Sequence, residues 1–221
     1  MARSVFCHLS EDLLAKLDQG RSVRRYQAGE VLFYEGEAPL AMYCLHDGVV
    51  KLVKAARDGR TMVIRLLGGG DIAGFRALLT DEPYAATAEV AEPATVCTVP
   101  AATFKGLLQE SVQFSLDLLH KVAVELRVSE ERMLDQAILP ARTRVARILL
   151  FLADTSSPSS QRLVVATELR HQDLADAVGI TPQTFSRIIH ELNGSGILRT
   201  NRQHIEIVDP GRLRDLAARD T

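Results

Sequence analysis

The chain lacks the features that mark several large protein classes. Cysteine is scarce, with three in 221 residues (Cys7, Cys44 and Cys97), and no Cys-x-x-Cys spacing occurs. An odd, scattered set argues against a disulfide framework and against a local zinc or iron–sulfur motif. Its expected fate is burial as small hydrophobic side chains, and no basic cluster in the sequence flanks any of the three. The longest apolar run, Ile148 to Ala153, is far below the ~18 residues of a membrane span. The first residues, Met1-Ala-Arg-Ser-Val-Phe-Cys7, carry no apolar signal core, so a cytoplasmic location is expected. There is no Gly-x-Ser-x-Gly, phosphate-binding loop or His-Glu-x-x-His. The glycines at 68, 69, 70 and 74 are not set in a βαβ unit, which a dinucleotide site requires. A cupin-like metal enzyme is the rival from another class, but His46 is the only histidine between residues 23 and 100. The chain is therefore expected not to be an enzyme.

What is present points to two domains, since the length is about one and a half times the ~150 residues of a typical one. Residues 1–140 hold 15 Lys and Arg against 19 Asp and Glu; residues 141–221 hold 11 against 9, and all 11 are arginine. The net charge thus changes from −4 to +2, in the direction a phosphate-facing domain needs. From about Val23 to Pro100, short β-type runs alternate with turns: Val31–Tyr34, Ala41–Leu45, Val49–Lys54, Met62–Leu67 and Ala94–Val99. His46-Asp-Gly48 and Arg57-Asp-Gly59 read as hairpin turns, because glycine takes positive φ without steric cost. Strands at this spacing predict a β-roll or small barrel. Gly68–Gly74 breaks the rhythm and leads to a short helical turn through Phe75–Leu79.

Between about Ala101 and Ile138 the period becomes helical, read as one long segment. Apolar residues recur at Val112, Leu116, Leu119, Val122, Ala123, Leu126, Met133 and Ala137. The spacing is close to a heptad seam, so Leu119, Val122, Leu126 and Met133 are the expected dimer interface. Asp117, Lys121, Glu125, Arg127, Glu130, Glu131 and Arg132 are expected on the exposed faces. Pro140 interrupts the helix, a second runs from Thr143 to Ala153, and Thr155–Ser160 reads as a polar loop. The implied divisions are 1–108, 109–139 and 140–221.

Function is written most clearly after that loop. Gln172–Gly179 reads as a short helix ended by glycine, and Ile180–Leu192 as a second helix with Thr181 as N-cap and Pro182 at its first position. Leu174, Ala175 and Val178 would pack on Phe185, Ile188, Ile189 and Leu192, leaving Gln183, Thr184, Ser186, Arg187 and His190 exposed. Polar groups at the start of a helix that follows a tight turn are the sequence form of helix-turn-helix DNA recognition. Gly196–Val208 adds two alternating strands around Asn201-Arg202, the wing of a winged helix, where Arg199, Arg202 and His204 can face phosphate. Arg187 can pair with guanine O6 and N7, and Gln183 with adenine N6 and N7, with Ser186 beside them. Arg170, His171, Gln172, Thr181 and Thr184 are the candidate backbone contacts, near helix N-termini.

In order along the chain, Gly29-Glu-Val-Leu-Phe-Tyr-Glu-Gly-Glu37, Gly48-Val-Val-Lys-Leu52, Gly70-Asp-Ile-Ala-Gly74, the long helix and Thr184-Phe-Ser-Arg187 resemble the cyclic-AMP receptor protein/FNR family of bacterial transcription regulators, over about residues 10–210. The resemblance implies an α+β protein: an N-terminal cyclic-nucleotide-binding-like β-roll, a dimerisation helix and a C-terminal winged helix-turn-helix. It implies a homodimer on pseudo-palindromic double-stranded DNA, with RNA polymerase as a further partner and none in the membrane. It also implies an effector pocket at Gly70, Asp71, Tyr84, Ala85 and Ser129. Gly70-Asp71 stands for the ribose-binding Gly-Glu pair and Ser129 for one of two adenine-facing hydroxyls. Tyr84-Ala85 falls where cyclic-AMP responders have Arg-Ser, so the cyclic phosphate would lack its charge-assisted bonds and cyclic AMP is disfavoured. Three scattered cysteines likewise disfavour an iron–sulfur cluster. A haem- or redox-responsive regulator of the same family stays open, with His46, Cys44, Cys97 or His120 as axial ligands for haem. Gln183 replaces the family's common glutamate and Pro182 a base-reading arginine, which implies an altered half-site.

Overall fold

The computed structural model of the chain describes residues 6, 8–56, 58–59, 61–156, 163–166, 169–201 and 204–218. Helix α1 (Glu11–Gly20) precedes strands β1 (Ser22–Tyr26), β2 (Val31–Phe33), β3 (Ala41–Leu45), β4 (Val49–Ala55), β5 (Thr61–Leu67) and β6 (Ile72–Ala73). A short α2 (Phe75–Thr80) leads to β7 (Thr87–Glu92) and β8 (Ala94–Pro100). Helices α3 (Ala101–Glu110), α4 (Val112–Ile138) and α5 (Ala141–Ser156) follow. The last part holds β9 (Leu163–Ala166), α6 (His171–Val178), α7 (Pro182–Gly194), β10 (Leu198–Thr200), β11 (His204–Ile207) and α8 (Pro210–Ala218).

The roll is two facing four-stranded antiparallel sheets, ordered β1-β8-β3-β6 and β2-β7-β4-β5. The central strand β3 reads as a nearly continuous apolar run because both of its faces are covered. In β3, Ala41, Tyr43 and Leu45 enter the core between the sheets. Met42 and Cys44 point the other way, into a layer with Leu17 of α1, Phe104 and Leu107 of α3, and Phe114 and Leu118 of α4. On the opposite sheet, Val49, Val63, Leu66 and Ala91 share one apolar cluster with α5 to α8. The roll is thereby packed between its own helices and the C-terminal domain.

Four expectations need correction. His46-Asp-Gly48 does not close a hairpin, because β3 and β4 belong to different sheets; it carries the chain from one to the other. The β4–β5 pair is a hairpin as expected, with Gly59 at positive φ, although Arg57 lies outside the described residues. The long segment is two helices broken at Ser111, whose hydroxyl accepts from the Phe114 N–H at 3.1 Å and caps α4. Glu125 is buried: its carboxylate meets the Arg65 guanidinium of β5 at 2.9 Å, while Lys121 meets Asp71 at 3.1 Å. These two ion pairs tie α4 to the roll. Helix α5 also continues through Thr155 and Ser156, where a loop was expected, and Ser157–Ser160 lie outside the described residues. Among the described residues no helix is long and apolar enough to cross a membrane.

Candidate nucleic-acid interface

The turn between α6 and α7 is fixed locally. Gly179 ends α6 at φ 75°, a conformation costly for a side-chain-bearing residue, and its N–H closes the helix on Ala175 and Asp176. The Thr181 hydroxyl then accepts from the Thr184 N–H at 3.2 Å, and Pro182 opens α7 where no N–H is needed. Leu174, Ala175, Val178, Phe185, Ile188, Ile189 and Leu192 are all buried, joined by Val145 and Leu149 of α5. With that face committed inward, Gln183, Ser186, Arg187 and His190 are exposed together on the other.

The reading side chains are only lightly engaged. Arg187 approaches Glu191 at 3.6 Å with 70% of its side chain exposed, a weak surface pair that a nucleic-acid partner can replace. Ser186 contacts His171 Nδ1 at 3.3 Å, and His171 packs edge-on against Phe185, which links the starts of the two helices. Gln172 donates to Asp176 at 2.6 Å. Thr181 and Thr184 also share a hydroxyl contact at 2.9 Å.

The cationic residues expected to face phosphate come with acidic neighbours that sequence spacing did not reveal. Arg170 directs its guanidinium to Asp173, with Nη2 to Oδ1 at 3.3 Å. Asp173 is buried and also meets Lys51 of the roll at 3.4 Å, while Lys51 meets Glu89 at 3.0 Å. Burial opposes ionisation of Asp173, but the hydrogen bonds from Arg170 and the charge of Lys51 outweigh it and hold the carboxyl below its usual range. Arg199 pairs across the wing with Glu206 at 3.2 Å. The wing is a three-stranded sheet ordered β10-β11-β9 rather than a lone hairpin. Asn201 turns it by accepting from the His204 N–H at 2.9 Å; Arg202 lies outside the described residues.

The five residues of the expected effector pocket do not converge. The Tyr84 hydroxyl donates to the Ala41 carbonyl at 2.7 Å, and its ring stacks on Phe33 with centroids 4.0 Å apart. It thus fills the roll beside the start of β3, while the neighbouring Ala85 is exposed. Asp71 sits at the other end of that strand, where its carbonyl accepts from the Leu45 N–H, and its carboxylate turns outward to Lys121. Gly70 is exposed beside it. Ser129 alone of the five lines a cleft of about 700 Å³ between β5, α4, α5 and α6, with Arg65, Arg132, Arg144 and Phe151. The sequence signal missed here is Lys121, a half-buried cation on α4 that claims the one acid of the set.

Of the expected haem ligands, His46 and His120 are exposed. Cys44 and Cys97 instead lie side by side on β3 and β8. No group of three or more metal-ligating side chains forms among the described residues. Cys7 lies outside them.

A β-roll, a long helix with an apolar stripe and a winged helix that presents a polar recognition face together define a DNA-binding transcription regulator. Residues 23–111 match the cyclic nucleotide-binding domain family model and residues 143–216 the Crp-like helix-turn-helix domain model. The chain is 29% identical to the transcriptional regulator LdrP of Thermus thermophilus, over 86% of this chain and 94% of that one. It is 25% identical to the fumarate and nitrate reduction regulatory protein of Vibrio cholerae, over 95% and 84%. The solved structure of FixK2 from Bradyrhizobium japonicum superposes with a TM-score of 0.76 at 26% identity, covering 91% of this chain and 99% of that one. The chain belongs to the CRP/FNR family of transcription regulators.

Proposed function

We propose that the chain acts in the cytoplasm as a homodimer, without enzymatic activity, that sets two α7 helices into successive major grooves of a pseudo-palindrome, roughly 34–36 Å apart. The observation that carries this reading is the exposed Gln183, Ser186 and Arg187 on a helix whose opposite face is fully buried. Arg187 reads guanine, Gln183 reads adenine and Ser186 adjusts between them. Arg170, His171, Gln172, Thr181, Thr184, Arg199 and Arg202 serve the phosphates. Leu119, Leu126 and Met133 are 60–64% exposed one heptad apart, and half-buried Val122 flanks them. Such a stripe supports pairing with a second α4. The proposed divisions stand at 108–109, inside the last turn of α3, and at 139–140, next to Pro140, and RNA polymerase is the partner through which a bound regulator acts. Tyr84 in place of a cationic contact supports DNA binding that does not wait for cyclic AMP.

The test is selection of sites from a random duplex library, followed by anisotropy titration at stated salt. Arg187→Ala is expected to lose about 1–3 kcal/mol at the selected site, roughly 10- to 100-fold, with non-specific binding retained. Equal losses on specific and random DNA would remove Arg187 from base reading.

A further inference from the structure

We propose that Cys44 and Cys97 form a dithiol pair that hydroperoxides oxidise to a disulfide. The two residues face each other directly in the antiparallel β3–β8 ladder, at the centre of the sheet ordered β1-β8-β3-β6. Two residues along, the His46 N–H donates to the Thr95 carbonyl, so the alternation places Cys44 and Cys97 at a hydrogen-bonded pair as well. Such pairs hold their Cα atoms about 5.5 Å apart, inside the roughly 4.4–6.8 Å that disulfides span. Directly opposed residues share a face of the sheet, and both thiols are free and half-buried against the layer made by α1, α3 and α4.

The two thiols differ in surroundings. Arg21, exposed just after α1, reaches Cys97 with its guanidinium, an interaction that raises the pKa of the arginine. Asp18 holds the same guanidinium at 2.6 Å. Arg21 leads directly into β1, which pairs with β8 at Val23 opposite Cys97, so its guanidinium is the cation placed to hydrogen-bond a peroxide oxygen at that sulfur. Burial pushes the Cys44 thiol up to about 12, so Cys44 stays protonated and acts second.

The chemistry balances with a hydroperoxide as oxidant. The Cys97 sulfur attacks the outer peroxide oxygen, the O–O bond breaks, and the thiol proton passes to the departing oxygen, which leaves as an alcohol or water; Cys97 becomes a sulfenic acid and the peroxide gains two electrons. The Cys44 sulfur then attacks the Cys97 sulfur, the S–O bond breaks, and water departs with the Cys44 proton as the S–S bond forms. The bridge would lie beneath Phe114 and Leu118, where α4 meets the roll.

This inference does not rest on the reading of DNA, because its test is made at the sulfur atoms. Full-length protein carrying Cys7→Ser is treated with hydrogen peroxide and mapped without reduction. The expected product is lighter by two hydrogens, contains a peptide linking Cys44 to Cys97 within one chain, and reverts with dithiothreitol. Adding Cys44→Ser is expected to stop the reaction at a Cys97 sulfenic acid that dimedone captures. Arg21→Gln is expected to slow oxidation about tenfold, the effect of losing one charge-assisted hydrogen bond. Thiols that remain alkylatable under peroxide, or link only between chains, would overturn the pair. An unchanged rate in Arg21→Gln would overturn the part given to Arg21.

Discussion

The interior of the roll and the outer face of α7 use side chains in opposite ways. Inside the roll, Phe33, Tyr43 and Tyr84 lie against one another with centroids 4.0–5.3 Å apart, and the Tyr84 hydroxyl is spent on the Ala41 backbone. On α7, the partners of Ser186 and Arg187 among the described residues stand at 3.3 and 3.6 Å, too long for strong bonds. A packed interior whose buried hydroxyl is already engaged resists a polar ligand, because entry would strip hydrogen bonds from buried groups. A solvated, lightly paired face yields to one. The difference teaches that side chains committed to one another build the roll's interior, whereas those on the outer face of α7 are left available to a partner.

The support is sharpest at Lys51, buried between Glu89 of its own sheet and Asp173 of α6. Lys51→Met is expected to destabilise the chain by about 3 kcal/mol, the low end for breaking a buried ion pair, since Arg170 still holds Asp173. Denaturant unfolding measures it, and a loss confined to the roll would show that Lys51 does not brace the winged domain. Asp173 supplies the pH signature. Its folded pKa is lowered, so its contribution is present above the ordinary carboxylate value of about 3.9 and is lost as pH falls through the folded value. Removing Lys51 weakens one cause of that lowering, so the acid limb of the stability curve moves to higher pH.

Tyr84→Phe probes the other side of the comparison. It deletes the donor to the Ala41 carbonyl and the acceptor for the Ala41 N–H. The expected cost is about 2 kcal/mol of stability, as two buried backbone groups lose a partner. Affinity for the selected DNA site should not change. A thermal shift with cyclic AMP, in the parent or the variant, would contradict the view that this interior is closed to it.

The legibility of the two regions follows the range of the interactions that make them. Gly179, Thr181 and Pro182 act on neighbours a few residues away, so the α6–α7 turn and the buried stripe from Phe185 to Leu192 could be read directly. The same holds for β3, whose expected bounds match the observed ones. The roll's remainder depends on distant partners. β7, Thr-Ala-Glu-Val-Ala-Glu, has weak strand propensity yet is held between β2 and β4. β1, Ser-Val-Arg-Arg-Tyr, is a mostly exposed edge strand without alternation. Glu125 looked solvent-facing because helical periodicity contains no information about Arg65 on β5. A motif match at Gly70-Asp71 is equally silent on Lys121, which draws the Asp71 carboxylate to α4. The juxtaposition of Arg21 and Cys97 depends on the β1–β8 pairing and had no local signal.

The smallest expected effect tests how far the recognition face depends on local geometry alone. Thr181→Ala removes the acceptor for the Thr184 N–H and should cost about 1 kcal/mol, the usual worth of an N-cap, while Thr181→Ser should restore it. Because the cap orients α7 without touching a base, its loss should weaken binding to every sequence alike and leave the preferred site unchanged. A second round of site selection decides the matter. If the preferred bases change in Thr181→Ala while stability does not, Thr181 belongs with Gln183, Ser186 and Arg187 as a reader, and the turn is part of the code rather than its scaffold.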